Sequence, residues 1–229
     1  MKRIKIYSET VYAAAIILLS LSVAMIASTN YGISMIVAPA YLLSLKLGIT
    51  FGQGEYIIQA ILFIVFCISM KKVKPIYFTS FLTGIIYGTV LDLWRALIPH
   101  FNPSITAPGN LPIPIKLIYF TVGMFMTSFS IALLFRTYIY PQVYDFFVKG
   151  ISERYNLNRD RFKSIFDFSC LAISLILSFT LFGKFVGIGV GTFIMTAFNG
   201  LIIGMFGKLI DKFFYIVPAS EKLNKIFEI

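Results

Sequence analysis

The sequence predicts an all-α, polytopic membrane protein whose six transmembrane helices form a 3+3 inverted-topology repeat. Three observations support this fold: an apolar composition, positive charge clustered between apolar stretches, and a glycine motif that occurs once in each half. Of 229 residues, 58% are hydrophobic and 13% are charged, against about 45–50% and about 25% in soluble domains. Several apolar stretches reach the roughly 20 residues needed to cross a bilayer core of about 30 Å.

The predicted spans follow one another with clear breaks between them. They cover 9–29, 54–70, 76–97, 115–136, 165–182 and 188–207. The connections at 30–53 and 137–164 are long, and each contains a segment that is too short or too polar to cross the membrane. We therefore expect one amphipathic or re-entrant segment in each half of the chain.

The distribution of lysine and arginine predicts how the chain is oriented. If the N-terminus is cytoplasmic, 16 of the 20 basic residues fall on the cytoplasmic side. The four on the outside are Lys46, Arg95, Lys116 and Lys184. Because positively charged flanks stay in the cytoplasm, both termini are expected there.

Two membrane repeats are expected, at 1–110 and 111–229, each with three spans. Because three is an odd number, the second repeat enters the membrane from the opposite side. The repeated Gly-x-x-x-Gly motif consists of Gly84, Gly88, Gly200 and Gly204, with a constant offset of 116 residues. Small residues one turn apart let helices approach closely in lipid, so these glycines are expected to pack the halves together.

Polar residues in or beside the spans are candidates for binding a solute or an ion. They are Glu55, Gln59, Thr83, Asp92, Arg95, Asp167, Thr192 and Asn199. A charge at membrane depth is costly unless it is paired or hydrated. Asp92 and Arg95 are therefore expected to form an ion pair at the outer interface or to contact a ligand in an outer vestibule.

The remaining candidates each have two interpretations. Glu55 and Asp167 are expected to open the central helix of each half, where a carboxylate complements the helix dipole or binds a cation or proton. The hydroxyls of Thr83 and Thr192 either bond back to their own helix or line a site. Asn199 is expected to reach a substrate, a partner helix or water.

Catalytic chemistry is not expected, so the protein is predicted not to be an enzyme. The lone histidine, His100, lacks companions for a metal site or a Ser-His-Asp triad, and there is no phosphate-binding glycine loop. Cys67 and Cys170 lie in apolar runs without metal-ligand spacing. No cofactor or metal is expected. The net charge of +10 lies beside the spans, as at a lipid surface, and indicates no nucleic-acid partner.

Two stretches carry a family resemblance. Gly32–Gly52 reads GISMIVAPAYLLSLKLGITFG, and 161–192 contains F-D-F-S followed by G-K-F-V-G-I-G-V-G-T. Both resemble segments of bacterial YitT/YczE/YyaS-type membrane proteins. The first stretch is similar to the segment that contains G-x-S-P and G-L-S-F-G. The second is similar to the segment that contains K-x-x-F-D-x-S-L and V-G-V-G-x-G-T. This sequence departs from the family pattern at three places. Met35 stands where the family usually has Pro, and Val190 stands where many members have Glu. Of the family's Pro-Gly-acid motif, only Pro141 is present. The resemblance implies a bacterial inner-membrane protein with duplicated halves.

Three functions are compatible with these features. The first is a small secondary transporter or permease, because inverted repeats are common in such proteins and place the site at the repeat interface. The second is a membrane-embedded substrate-binding subunit that needs an energising partner. The third is a non-transport scaffold or sensor that assists a partner enzyme. The expected partners are the lipid bilayer, an unidentified small solute or ion, and either a second copy or a partner membrane protein.

Overall fold

The fold is all-helical in the computed structural model, which describes residues 3–71 and 74–219, the side chain of Asp160 excepted. Eight α-helices lie in these ranges. They are α1 (Ser8–Thr29), α2 (Ala38–Leu47), α3 (Phe51–Met70), α4 (Phe78–Leu97), α5 (Ile113–Leu134), α6 (Val143–Arg154), α7 (Arg159–Phe182) and α8 (Val190–Phe213). A 3₁₀ turn, Pro75–Tyr77, precedes α4. All of these helices except α2 and α6 are long and apolar enough to cross a membrane, which confirms the six predicted spans.

Helix capping explains why two spans start earlier than predicted. The Thr50 hydroxyl accepts a hydrogen bond from the Gln53 N–H, and the Gln53 side chain accepts one from the Thr50 N–H. This reciprocal cap starts α3 at Phe51. Asn158 accepts a hydrogen bond from the Arg161 N–H at 3.0 Å, so α7 begins about six residues before the expected start.

A short parallel β-pair joins the segment before α1 to the segment after α8. The strand β1 (Ile4–Tyr7) pairs with β2 (Phe214–Val217), with Ile4 opposite Phe214. The Glu9 carboxylate accepts hydrogen bonds from the Ala219 N–H at 3.1 and 3.0 Å. The beginning of α1 is therefore tied to the segment that follows α8, a contact that the sequence analysis did not predict.

The most deeply buried span is α1, which packs against α4 and α5, while α8 packs on the far side of α5. Small side chains allow this close packing, since Ala15, Ala24, Ser20 and Ser22 of α1 are fully enclosed. The Ser22 hydroxyl lies 2.8 Å from the Thr127 hydroxyl of α5. Such hydroxyl pairs satisfy each other where water is excluded.

The helices α2 and α6 are too short to span a bilayer. They have 10 and 12 residues, which correspond to about 15 and 18 Å of helix. Both pack against α3 and α7, but their C-terminal ends lie at opposite ends of the bundle. Lys46 of α2 donates a hydrogen bond to the Leu181 carbonyl at the end of α7, whereas Tyr155, after α6, donates one to the Ser69 carbonyl at the end of α3.

An aromatic cluster holds α6 in place. The Phe66 ring of α3 lies 4.7 Å from the Phe146 ring and 5.3 Å from the Tyr77 ring, centroid to centroid. A Cβ atom at Gly150 would lie 2.6 Å from the edge of the Phe66 ring, so glycine is required for this approach. The cluster closes one end of the bundle around the short helix.

The repeated glycines do not behave alike, and the expectation that they pack the halves together is wrong. Gly84 and Gly88 pack α4 against α3 within the first half, where Gly88 lies under the Tyr56 ring and close to the Gly52 backbone. Nothing described lies within 4 Å of the Cβ positions of Gly200 and Gly204. The second pair is on the outer face of α8, because α7 does not pack against α8 as α3 packs against α4.

This difference predicts unequal costs for the same substitution. Gly88→Leu would force bulk into the α3–α4 contact and should lower the free energy of unfolding in detergent by about 1–3 kcal/mol. Gly204→Leu should change it by less than about 0.5 kcal/mol, because its side chain enters open space. Ile86→Phe, which adds bulk on an exposed face, is the matched control. Equal losses at Gly88 and Gly204 would contradict the structure.

Candidate functional site

A fully buried carboxylate lies between the two halves of the chain. Glu55, one turn inside α3, has no solvent exposure. Its Oε2 accepts hydrogen bonds from Gln59 Nε2 at 3.1 Å and from the Tyr144 hydroxyl at 3.0 Å. Its Oε1 has no hydrogen-bond partner among the described residues. A carboxyl group in this position is costly when charged unless further groups neutralise it.

Amide side chains extend this arrangement towards α6. Gln59 Nε2 also lies 3.4 Å from Gln142 Oε1, and Gln59 Oε1 has no partner in the described part of the chain. The Gln59 amide fits only because Gly84 faces it, since a Cβ atom there would collide with its oxygen. We call Glu55, Gln59, Gln142 and Tyr144 the carboxylate cluster. It joins α3 of the first half to the start of α6 in the second.

Tyr144 serves the carboxylate cluster as a hydrogen-bond donor. Burial, followed by the nearby Glu55 carboxylate, raises the pKa of Tyr144 well above its ordinary value. The phenol therefore keeps its proton and can donate it in the hydrogen bond to Glu55. Its role is to hold one carboxylate oxygen and leave the other free.

A partly open cavity of about 70 Å³ adjoins the carboxylate cluster. Most of its wall consists of apolar side chains from α1, α5, α8 and the connection before α2. Its polar members are Ser34, Tyr87, Thr127, Gln142, Tyr144 and Asp145. Tyr87 is 1% exposed, and its hydroxyl has no hydrogen-bond partner among the described groups. Because a buried hydroxyl without a partner is costly, this wall is suited to a ligand that accepts a hydrogen bond.

Asp92 caps a helix and is not part of an ion pair with Arg95. Its Oδ2 accepts a hydrogen bond from the Thr50 hydroxyl at 2.5 Å, and its Oδ1 accepts one from the Gly52 N–H at 2.8 Å. The ion pairs of the described residues do not include Asp92 or Arg95. Arg95 instead lies over the Phe51 ring, 5.6 Å from its centroid. Asp92 thus stabilises the positive end of α3, which is one of the two roles expected of Glu55.

Asp167 is not among the residues that line the cavity and does not open α7. It sits eight residues after Arg159, the first residue of α7, so it does not complement the dipole of its own helix. Lys163 lies 3.3 Å from Asp145 of α6 and 3.7 Å from Asp167. Lys163 therefore links α6 to α7, and the structure does not bring Asp167 together with Glu55 as a second buried carboxylate.

Of the remaining predicted residues, Asn199 and Thr83 contact other segments of the bundle, and Thr192 caps its own helix. The Ser128 hydroxyl of α5 donates a hydrogen bond to Asn199 Oδ1 at 2.7 Å, so Asn199 reaches a partner helix. The Thr83 hydroxyl lies 2.7 Å from the Tyr12 hydroxyl and 3.0 Å from the Tyr140 carbonyl. Thr192 accepts a hydrogen bond from the Gly189 N–H at 3.3 Å and fixes the start of α8.

Three residues of the site were missed from the sequence: Tyr87, Gln142 and Tyr144. Tyr87 lies directly before a motif glycine, where an aromatic residue reads as ordinary lipid-facing bulk. Gln142 and Tyr144 follow Pro141 in a connection that the sequence placed outside the membrane core. A polar pair beside a proline in a long connection is the one signal that could have indicated them, because half-helices often start this way.

Comparisons with known proteins identify the family of the chain but not its activity. Residues 6–208 match the model of DUF6198, a family of unknown function. The chain is 28% identical to the uncharacterized protein YyaS of Bacillus subtilis (strain 168) over 206 residues, which is 89% of this chain and 94% of that protein. No solved structure matches. The resemblance to YyaS-type proteins is therefore confirmed.

The geometry at Asp92 predicts which substitutions are tolerated. Asp92→Ala removes both acceptor oxygens from the start of α3 and should lower the free energy of unfolding by about 0.5–2 kcal/mol. Asp92→Asn keeps one acceptor oxygen and should cost less, as followed by thermal unfolding in detergent. The structure would be contradicted if Asn were as harmful as Ala and if Arg95→Gln restored the lost stability, since that is the behaviour of an ion pair.

Proposed function

The chain belongs to the DUF6198 family, and we propose that it is a small proton-coupled secondary transporter. In this proposal two inverted halves move against each other around the cavity and the carboxylate cluster. The observation that carries it is Glu55: a fully buried carboxyl group with one free oxygen, held jointly by residues of both halves. Ionisable groups buried in membrane proteins commonly mark ion or proton pathways.

The packing of the helices supports two related halves. The order α1 to α4 corresponds to α5 to α8, and α1 packs against its own counterpart, α5. Helix α4 packs on α1 as α8 packs on α5, and α2 reaches α7 as α6 reaches α3. Each short helix therefore lies on the spans of both halves. This is the arrangement expected of an inverted repeat with its site at the interface.

The size of the cavity suggests which state of the cycle the structure represents. Sites for drug-sized ligands have volumes of about 300–1,000 Å³, whereas this cavity has about 70 Å³. It has room for a few waters or a very small solute. We therefore interpret the structure as a state whose cavity admits only a small cargo, with rocking of the halves needed to admit larger groups.

Glu55 is the residue assigned to proton coupling. Protonation of its free oxygen makes the carboxylate cluster neutral, which lowers the cost of its burial when the site is closed on both sides. Deprotonation requires access to water and therefore an open state. The proton would in this way be carried only when the two halves change position together with the solute.

Proteoliposomes containing a pH-sensitive dye test this proposal. Small carboxylates, amines, sugars and amides are added outside one at a time, and the internal pH is recorded. We expect one class to drive proton movement with the unmodified protein and none with Glu55→Gln. Exchange of that solute across the membrane at equal concentrations should persist in Glu55→Gln, because exchange needs no net proton movement.

The matched control is Glu153→Gln, which removes an exposed carboxylate of α6 and should leave both activities unchanged. Transport would be rejected if no class moved with the unmodified protein. Proton coupling through Glu55 would be rejected if Glu55→Gln coupled solute and proton like the unmodified protein.

A further inference from the structure

The N-terminal ends of α2 and α6 line the same cavity. Val37, which precedes α2, and Gln142, which precedes α6, both contribute to its wall. Since the C-terminal ends of the two helices lie at opposite ends of the bundle, the helices point at the cavity from opposite directions. The positive ends of two helix dipoles therefore converge on one cavity.

Neither N-terminus is closed by a side-chain cap. In α6 the first helical hydrogen bond runs from the Phe146 N–H to the Gln142 carbonyl, so the N–H groups of 143–145 precede the helical ladder. In α2 the Ala38 N–H is bonded to the Ser34 carbonyl, and Pro39 has no N–H. The α6 end thus offers more free donors than the α2 end.

The Tyr87 hydroxyl is an independent sign of a ligand at this place. It belongs to the cavity wall, is fully buried, and lacks a hydrogen-bond partner among the described residues. The Tyr87 hydroxyl is not hydrogen-bonded to Thr127, because the Thr127 hydroxyl is hydrogen-bonded to Ser22. An uncapped helix end and an unpartnered hydroxyl donor both favour an acceptor that carries negative charge.

The charged groups nearest the cavity are Asp145, Lys163 and Asp167. Asp145 lines the cavity, and its Oδ1 is paired with Lys163 at 3.3 Å, but Lys163 is shared with Asp167 at 3.7 Å. Glu55 lies behind Tyr144 and carries no charge when protonated. Among the described residues that line the cavity there is no lysine or arginine, so helix amides and the Tyr87 hydroxyl would have to hold the anion.

The rest of the wall is aliphatic, including Val23 of α1, Ile131 of α5 and Met195 of α8. We infer that the cavity binds a small aliphatic monocarboxylate, with its carboxylate at Tyr87 and the α6 N-terminus and its alkyl group against Val23, Ile131 and Met195. This inference names the substrate class of the proposed transporter and so deepens that proposal. Binding can nevertheless be measured without transport.

The test uses purified full-length protein in detergent and isothermal titration with three probes of similar size: propionate, propionamide and propylammonium. Propionate should bind, propionamide should bind at least about tenfold more weakly because it lacks the charge, and propylammonium should not bind. Octanoate is included to distinguish a site for a short free acid from a site for the acyl chain of a lipid. It should bind no better than propionate, because its tail exceeds the cavity of about 70 Å³.

Variants locate the binding site. Tyr87→Phe removes only the hydroxyl and should weaken propionate binding about tenfold or more, whereas Tyr215→Phe, an exposed control, should not. If Tyr87→Phe fails to fold, Val37→Phe, which fills the cavity from the α2 end, should abolish binding.

Three results would overturn the inference: absence of propionate binding, preference for propylammonium or propionamide, or full binding in a folded Tyr87→Phe or Val37→Phe variant. Tight octanoate binding would also overturn it, in favour of a lipid site. If carboxylates do not bind but another solute drives proton movement, the inference that the substrate is a monocarboxylate is rejected and the proposed transport function stands. If propionate binds but nothing is transported, only the proposed function fails.

Discussion

The structure depends on shielding two short helices from lipid. In a bilayer every backbone polar group must be satisfied within the protein, so irregular backbone is tolerated only where other segments cover it. The N-terminal ends of α2 and α6 are such places, and α1, α3, α5 and α7 surround them. This requirement explains why α1 is so deeply buried and so rich in small residues, and why an aromatic cluster packs against α6.

Shielding the short helices also explains where polar groups are found. Polar side chains gather where α6 begins, and Glu55 and Gln59 meet Gln142 and Tyr144 there. Asp92, by contrast, lies at the other end of α4 and satisfies the start of α3. The outer face of α8, with Gly200, Gly204 and exposed apolar side chains such as Leu201 and Met205, contains little that is polar. The carboxylate cluster and the exposed apolar face of α8 therefore occupy different parts of the bundle.

The sequence predicted the six spans and the two short helices because hydrophobic length and proline-rich interruptions are local properties. It also singled out Glu55 and Gln59, since polar residues in an apolar span stand out. It could not assign their partners, because Tyr144 and Gln142 are more than 80 positions away. The same limit explains the errors at Asp92 and at Gly204: an ion pair one turn apart and a repeated motif look convincing locally, but the neighbours are set by the packing of distant helices.

The central claim is that one cavity, lined by the N-terminal ends of α2 and α6, opens in turn to both sides of the membrane. It is tested most directly in a variant in which Cys67 and Cys170 are replaced by Ala and the cavity residue Ser34 by Cys. A membrane-impermeant maleimide is applied from one side or the other of oriented proteoliposomes, with Ser104→Cys in the exposed 98–112 connection as the one-sided reference. The account predicts labelling of the Cys at position 34 from both sides. Labelling from one side only, or from neither, would contradict it.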